Sequence, residues 1–241
     1  MTTPRTSFKL PSGIGTEVAR AFSDYIVFLK WEPGKRLIEE NLCAEFGVSR
    51  SPVREAFHIL EADGLIVRTA RRGVRVTPMS QQDLAEVYNC RAVLAGLAAG
   101  EAAKVADDAT LAQLQALWSK MNTAMAAGKV MAFFNHNVAF TRGLYAASGN
   151  ATLMRVIAGL EKQALRYRYF AHRHSHEMLE VSLKGHGDVL EALLARKSAL
   201  AQRRANQLMN DTHEVISRTL AESDLSGALR SADALADADE E

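Results

Sequence analysis

At 241 residues, 48% hydrophobic and 24% charged, the chain has the composition of a globular protein that buries a real core, not of a disordered or fibrous one. Its net charge of +1 announces neither a nucleic-acid nor a membrane partner; no apolar run approaches the roughly 18 residues of a membrane span, and the polar start Met1–Lys9 lacks a signal-peptide pattern. Only two cysteines occur, Cys43 and Cys90, each inside an apolar helical pattern, which excludes a disulfide framework and points to a cytoplasmic protein with buried thiols.

In chain order, Val18, Phe22, Ile26 and Leu29 recur at the spacing of one helical face, and Pro33-Gly34 closes that segment. A short helix over Glu39 to Phe46 sets Leu42 and Phe46 on one side and ends at the tight turn Gly47-Val48-Ser49. A third helix follows at once, with Ser51 suited to the N-cap, Pro52 to the first helical position, and Val53, Phe57 and Leu60 facing inward. After Asp63-Gly64 the period shortens: Leu65-Ile66-Val67 and Val74-Arg75-Val76-Thr77 read as a β-hairpin whose connection ends in Gly73. The polar stretch Pro78 to Gln82 is the domain seam. Beyond it six helices are predicted, about Gln81–Val105, Thr110–Ala127, Val130–Ala147, Ala151–Ala171, Glu177–Arg196 and Ser198–Leu220, packed as a bundle. From Ala221 the chain is acidic against a single Arg230 and reads as a solvated, disordered tail. The fold class is therefore mainly α: a winged helix-turn-helix over residues 1–78, an all-α bundle over 79–220 and a tail over 221–241.

Helix, short helix, turn, helix and basic hairpin is the order that a DNA-binding winged helix-turn-helix requires. The third helix would enter the major groove, where Arg50 and Arg54, four apart, can each bridge guanine O6 and N7. Ser49 and Ser51 would donate to phosphates, and Arg71, Arg72 and Gly73 at the hairpin tip would reach backbone or minor groove. Arg68, Arg71, Arg72 and Arg75 fall together with no acid between them. A charge run by itself is weak evidence, and the alternative is that Arg50 and Arg54 are solvated surface charges and the hairpin a bland edge; the ordered conjunction of elements decides against it. Arg166 and Arg168, interleaved with Tyr167 and Tyr169, invite a nucleic-acid reading too, but Tyr167 continues an apolar series through Leu153, Val156, Leu160 and Ala164, which turns this segment inward.

The runs Gly34-Lys35-Arg36-Leu37-Ile38-Glu39, Phe46 through Ala56 and Leu60-Glu61-Ala62-Asp63-Gly64-Leu65 resemble the DNA-binding domain of the GntR family. Val87 through Leu94 and Tyr145-Ala146-Ala147-Ser148-Gly149-Asn150 resemble the FadR-type ligand-binding domain called FCD. The resemblance covers nearly the whole chain. It implies a homodimer on palindromic operator DNA, a regulator whose operator affinity an effector controls, with release on binding as the common habit. Repression of a catabolic operon is the expected role.

Periodicity gives a second route to the effector site, because a polar residue on an apolar helical stripe must turn inward and find a partner. Arg91 lies on the stripe of Leu84, Tyr88, Leu94 and Ala98; Asn137 and Thr141 interrupt Phe134, Val138, Leu144 and Tyr145; His186 sits between Leu183 and Val189-Leu190. Arg91 is a natural carboxylate clamp, Arg168 is a further candidate contact, and a small carboxylate or sugar acid is the expected effector. Many FCD domains hold a divalent metal through an aspartate and a histidine four apart and two later histidines. The resemblance sets those positions on Asn137, Thr141, His186 and Leu208, of which only His186 matches, so no metal or other cofactor is expected. His136, His172, His174 and His176 read as structural or exposed, the alternative being a displaced metal site, and His58 and His213 read as exposed. No nucleophile elbow, phosphate-binding glycine loop or metal-ligand spacing supports an enzyme. An effector-independent dimeric DNA-binding protein and a metal-dependent sensor are the remaining alternatives.

Overall fold

The computed structural model describes residues 13–69 and 73–223, and these fall into two compact units that divide between Thr77 and Pro78. Arg71 and Arg72, read above as DNA contacts, and residues 224–241 of the acidic tail lie outside the described residues.

In the first unit α1 (Ile14–Val27) is followed by β1 (Arg36–Leu37), α2 (Glu39–Phe46), α3 (Arg50–Ala62), β2 (Ile66–Thr69) and β3 (Gly73–Val76). The strands form an antiparallel sheet in the order β1-β3-β2, so the expected hairpin gains a third strand, with Arg36 opposite Arg75 and Leu37 opposite Val74. Two residues are too few to show period-two alternation, which is why β1 left no mark in the sequence. The core is aromatic: Phe22, Trp31 and Phe57 are almost fully buried, and Phe22 has Trp31 at 5.0 Å and Phe46 at 4.9 Å between ring centroids. Such tilted and edge-on pairs let a small domain bury large rings without a cavity.

The turn between α2 and α3 is made possible by Gly47, whose φ of 64° lies in the left-handed region that a side chain disfavours. Helix α3 starts earlier than its residues imply: Ser49 is the N-cap and Arg50 the first helical residue. Pro52 is therefore the third residue of the helix, still within the turn whose amides have no intrahelical acceptor, so its missing N–H costs nothing there either.

The second unit holds α4 (Gln81–Val105), α5 (Asp108–Ala126), α6 (Val130–Ala147), α7 (Ala151–His174), α8 (His176–Leu194) and α9 (Ser198–Glu222). Side-chain caps set the starts: Ser80 accepts from the Asp83 amide at 3.0 Å, Asp107 from Thr110 at 2.7 Å and Asn150 from Leu153 at 2.9 Å. The Asp107 cap puts α5 two residues ahead of the expected Thr110, and α9 continues to Glu222, so Ala221 and Glu222 are helical and not tail. Helix α4 presents Ala95, Ala98, Ala99, Ala102 and Ala103 inward and α9 answers with Ala201 and Ala205. Small residues let the two backbones come close. At Gly96 the Asn206 side chain fills the space of a side chain, since a Cβ there would lie 1.7 Å from its amide.

The C-terminal half of α7 is buried almost all round, from Ala164 to His172. Tyr167 donates to Asp83 Oδ2 at 2.6 Å and accepts from the Ser80 amide at 3.1 Å, and fully buried Arg166 donates to the Pro78 carbonyl at 3.3 Å. This pair pins the start of α4, and burial removes the nucleic-acid reading of Arg166. Of the cysteines, Cys43 is half-buried and Cys90 is exposed, which corrects the expectation that both are core thiols. Among the described residues no helix is long and apolar enough to cross a membrane.

Candidate functional site

On the first unit, Ser49, Arg50, Ser51 and Arg54 are all exposed on the N-terminal half of α3, and the Ser49 hydroxyl makes no capping bond. The two arginines are tethered. Arg54 Nε donates to Glu39 Oε2 at 2.9 Å, and Arg50 lies 3.1 Å from Glu40 Oε1. Both glutamates stand in the first turn of α2, where a negative charge is favoured by the helix dipole. Hydrogen bonding to Glu39 raises the Arg54 pKa above its ordinary value. Since the bond uses Nε alone, the terminal nitrogens of Arg54 keep the paired donors that a guanine edge needs. Sequence reasoning missed Glu39 and Glu40; their signal was an acidic pair placed just before a basic helix start.

The hairpin arginines separate by role. Arg68 pairs with Glu61 at 2.8 Å and sits 5.9 Å from the Phe57 ring, and Arg75 donates to the Gly34 carbonyl at 2.9 Å. Both therefore brace the fold rather than extend the basic tip. Gly73 is exposed with φ +79° at the start of β3.

In the second unit α4, α6, α7, α8 and α9 converge on a narrow polar cavity lined by Tyr88, Arg91, Asn137, Thr141, Arg168, Met178, Ser182, His186, Met209 and Thr212. All five residues singled out for an effector from the sequence, Arg91, Asn137, Thr141, Arg168 and His186, meet here. Each is at least 96% buried, from 1% exposure at Asn137 to 4% at Arg91, Arg168 and His186. On its other side Arg91 borders a closely packed crevice with Leu94, Tyr145, Ile157, Leu160 and Glu161, so it stands between the two.

The two guanidiniums differ. Arg168 donates to Asn137 Oδ1, reaches Thr141 Oγ1 at 3.3 Å and lies 3.5 Å from Glu161 Oε1. Arg91 stacks 4.8 Å from the Tyr88 ring; the Tyr145 phenol lies near it, but neither terminal nitrogen meets an acceptor at full hydrogen-bond geometry among the described residues. Burial pushes the Arg91 pKa down, but the Tyr88 and Tyr145 phenols and Glu161 more than offset this and hold it above the ordinary value. The Arg168 pKa is lowered by burial and by Arg91 itself, with Glu161 opposing. Two mutually repelling cations face one carboxylate here, so the cavity carries an excess of positive charge.

His186 and His172 are neutral acceptors. Burial pushes His186 down to about 4 and His172 to about 3. His186 Nδ1 lies 2.6 Å from the Ser182 carbonyl, which assigns the proton to Nδ1 and leaves the Nε2 lone pair 3.3 Å from Thr141 Oγ1. Buried His172, whose Nδ1 lies 2.7 Å from the Arg168 carbonyl, belongs to this assembly, and half-buried His213 lies 5.7 Å from Tyr88. His136 is half-buried, whereas His58, His174 and His176 are exposed.

A divalent cation fits this donor set poorly. The Asn137 oxygen is already engaged by a guanidinium, Thr141 offers a neutral hydroxyl and only His186 is a strong ligand. Leu208 packs against Gly185, where a Cβ would come within 2.4 Å of it, and lines a different groove; Met209 and Thr212 are the α9 residues that face the cavity. Among the described residues no group of three or more histidine, cysteine, aspartate or glutamate side chains is arranged to hold a metal.

Sequence reasoning missed Glu161, Tyr88, Tyr145, Ser182 and His172. The α7 stripe explains part of this: Val156 is 52% exposed, and the buried line runs Leu153, Ile157, Glu161, Ala164, Arg168, His172. A shift of one residue hid an acid and an imidazole that share a helical face with Arg168.

Comparison with known proteins agrees with this division. A model described as "Bacterial regulatory proteins, gntR family" matches residues 15–76, and one described as "FCD domain" matches residues 86–211. The Bacillus subtilis "Uncharacterized HTH-type transcriptional regulator YdhC" is 40% identical over 85 residues, which span 35% of this chain and 38% of that protein. The "Probable D-xylose utilization operon transcriptional repressor" of Paenarthrobacter nicotinovorans is 28% identical over 78% of this chain and 83% of that protein. Among solved structures, E. coli McbR/YncC superposes with a TM-score of 0.73 at 22% identity, covering 86% of this chain and 98% of that one, a likeness of fold.

Proposed function

Because this chain belongs to the gntR family of bacterial regulatory proteins and carries an FCD domain, it is a DNA-binding transcription regulator, and we propose that it represses a catabolic operon until a small organic acid enters its helical domain. It acts as a homodimer on a palindromic operator, each protomer laying α3 in a major groove. Ser49 and Ser51 donate to phosphates, Arg50 and Arg54 read base edges, and Arg71, Arg72 and Gly73 contact the flanking backbone or minor groove.

One observation carries the effector reading: Arg91, only 4% exposed, has both terminal nitrogens unpartnered at the cavity wall. A carboxylate supplies two acceptors at the spacing of a guanidinium edge and removes the cost of burying an unpaired cation. The Nε2 lone pair of His186 adds an acceptor, which a ligand hydroxyl satisfies, so a hydroxy acid or sugar acid suits the cavity better than a plain fatty acid. The bound acid changes operator affinity by favouring one of two conformations of the regulator.

The test uses fluorescence anisotropy on operator DNA with a panel of hydroxy acids and sugar acids. Arg54→Ala is expected to weaken operator binding about tenfold or more and to relax base preference, since each bidentate base contact is worth about 1–3 kcal/mol. Arg91→Ala is expected to bind the operator as wild type does and to lose the response to the acid. A normal response from Arg91→Ala would rule out this cavity as the sensor.

A further inference from the structure

Arg168 has an unusual station. Its guanidinium lies among Asn137, Thr141 and Glu161, on the wall that also carries His186, and it touches the two α6 positions to which the resemblance assigns metal ligands. Those positions hold a neutral amide and a hydroxyl, which accept from a guanidinium and bind a divalent cation weakly. The residues present complement each other: the two α6 positions offer neutral oxygen acceptors, and a permanent positive charge stands beside them on α7.

We infer that the Arg168 guanidinium serves as the built-in cation of this cavity, doing the electrostatic work of a divalent metal, so that the site captures an organic anion bearing a single carboxylate without any metal. The inference deepens the effector reading above and rests on it for the anion. Arg168 is a fixed cation because guanidinium is not deprotonated in proteins, and its planar donors hold Asn137 and Thr141 in place as a coordinated ion would hold its ligands. The count of carboxylates follows from the charges. Arg168 already has Glu161 at 3.5 Å, whereas Arg91 has free terminal donors, which leaves one guanidinium edge to be filled. A second carboxylate would approach Glu161 and meet repulsion. One bound carboxylate also relieves the repulsion between the two arginines, so it is drawn by both while bonded to one.

The experiment is a thermal-shift and calorimetric titration of the full-length protein after chelator treatment, with Zn²⁺ and Ni²⁺ alone in one arm and D-gluconate against glutarate in the other. Wild type is expected to bind neither metal. Asn137→Asp with Thr141→His, Arg168 retained, is expected to gain little metal affinity, whereas the same pair combined with Arg168→Met gains a metal-dependent rise of several degrees in Tm. Stoichiometric metal binding by wild type overturns the inference and needs no variant. So does equal metal affinity with and without Arg168, or a folded triple variant that gains none. In the acid arm, stabilisation by D-gluconate in excess of that by glutarate is expected, and the reverse order overturns the single-carboxylate assignment. If neither acid stabilises the protein while the metal results stand, the effector reading has failed and the role of Arg168 has not.

Discussion

Arg91 carries the least balanced environment among the described side chains, and its imbalance has two measurable consequences. A buried donor without an acceptor costs about 1–3 kcal/mol. Arg91→Met, close in length and without polar atoms, is therefore expected to raise the melting temperature of the ligand-free protein by a few degrees while abolishing stabilisation by the effector. A lower melting temperature would mean that Glu161 needs the cation more than the cation needs a ligand. The histidines give a pH prediction at the same scale. His172 and His186 are held near 3 and 4, below the 6.5 of an unfolded histidine, so protonation below that value favours the unfolded chain. Their contribution is fully present above about pH 6.5 and declines as pH falls toward 4, costing about 2 kcal/mol per histidine at pH 5. His172→Gln is expected to flatten this acid limb, as read from denaturant midpoints at pH 7 and pH 5. An unchanged slope would contradict the burial of His172 in a dry environment.

At the scale of elements, the pairing of α4 with α9 depends on a missing side chain. Asn206 sits over Gly96, and with its amide nitrogen turned to α4 it donates to the Ala92 carbonyl at 2.7 Å and to Gln202 at 3.2 Å. Gly96→Ala puts a methyl group where that amide lies. Despite the better helix propensity of alanine, the variant is expected to lose about 1–3 kcal/mol, checked by chemical denaturation, because a half-buried amide is displaced from its acceptors. Helix α7 shows how far elements were legible. Its existence and start follow from Ser148-Gly149-Asn150 and an apolar period, yet its facing does not. With the C-terminal half buried on every side, two adjacent stripes are both apolar, and the period alone cannot choose between Val156 and Ile157. Helix α3 shows the converse: Ser49 and Ser51 are both good caps, and the left-handed Gly47 decides in favour of Ser49 by turning the chain early.

For the whole molecule, each unit has its own core. The aromatic cluster around Phe22, Trp31 and Phe57 is completed by Val76, so a fragment ending near residue 80 is expected to unfold cooperatively by circular dichroism; a broad, non-cooperative melt would show that it needs the helical domain. Operator binding by the intact protein is expected to weaken steeply between low and physiological salt, since phosphate contacts release counterions. Much of this organisation was written in the chain itself. Element order, the seam near residue 78, the inward polar residues Arg91, Asn137, Thr141 and His186 and the outward Arg50 and Arg54 all follow from local periodicity and turn chemistry, which act over a few residues. What only the tertiary structure decided is pairing across distance. It joined Arg168 to Asn137 and Thr141, set Glu161 against both arginines, tied Arg54 to Glu39 and moved Leu208 out of the cavity. Those outcomes depend on which helical faces meet, and a residue's own neighbours in sequence carry no record of the partner that completes its charge or its hydrogen bonds.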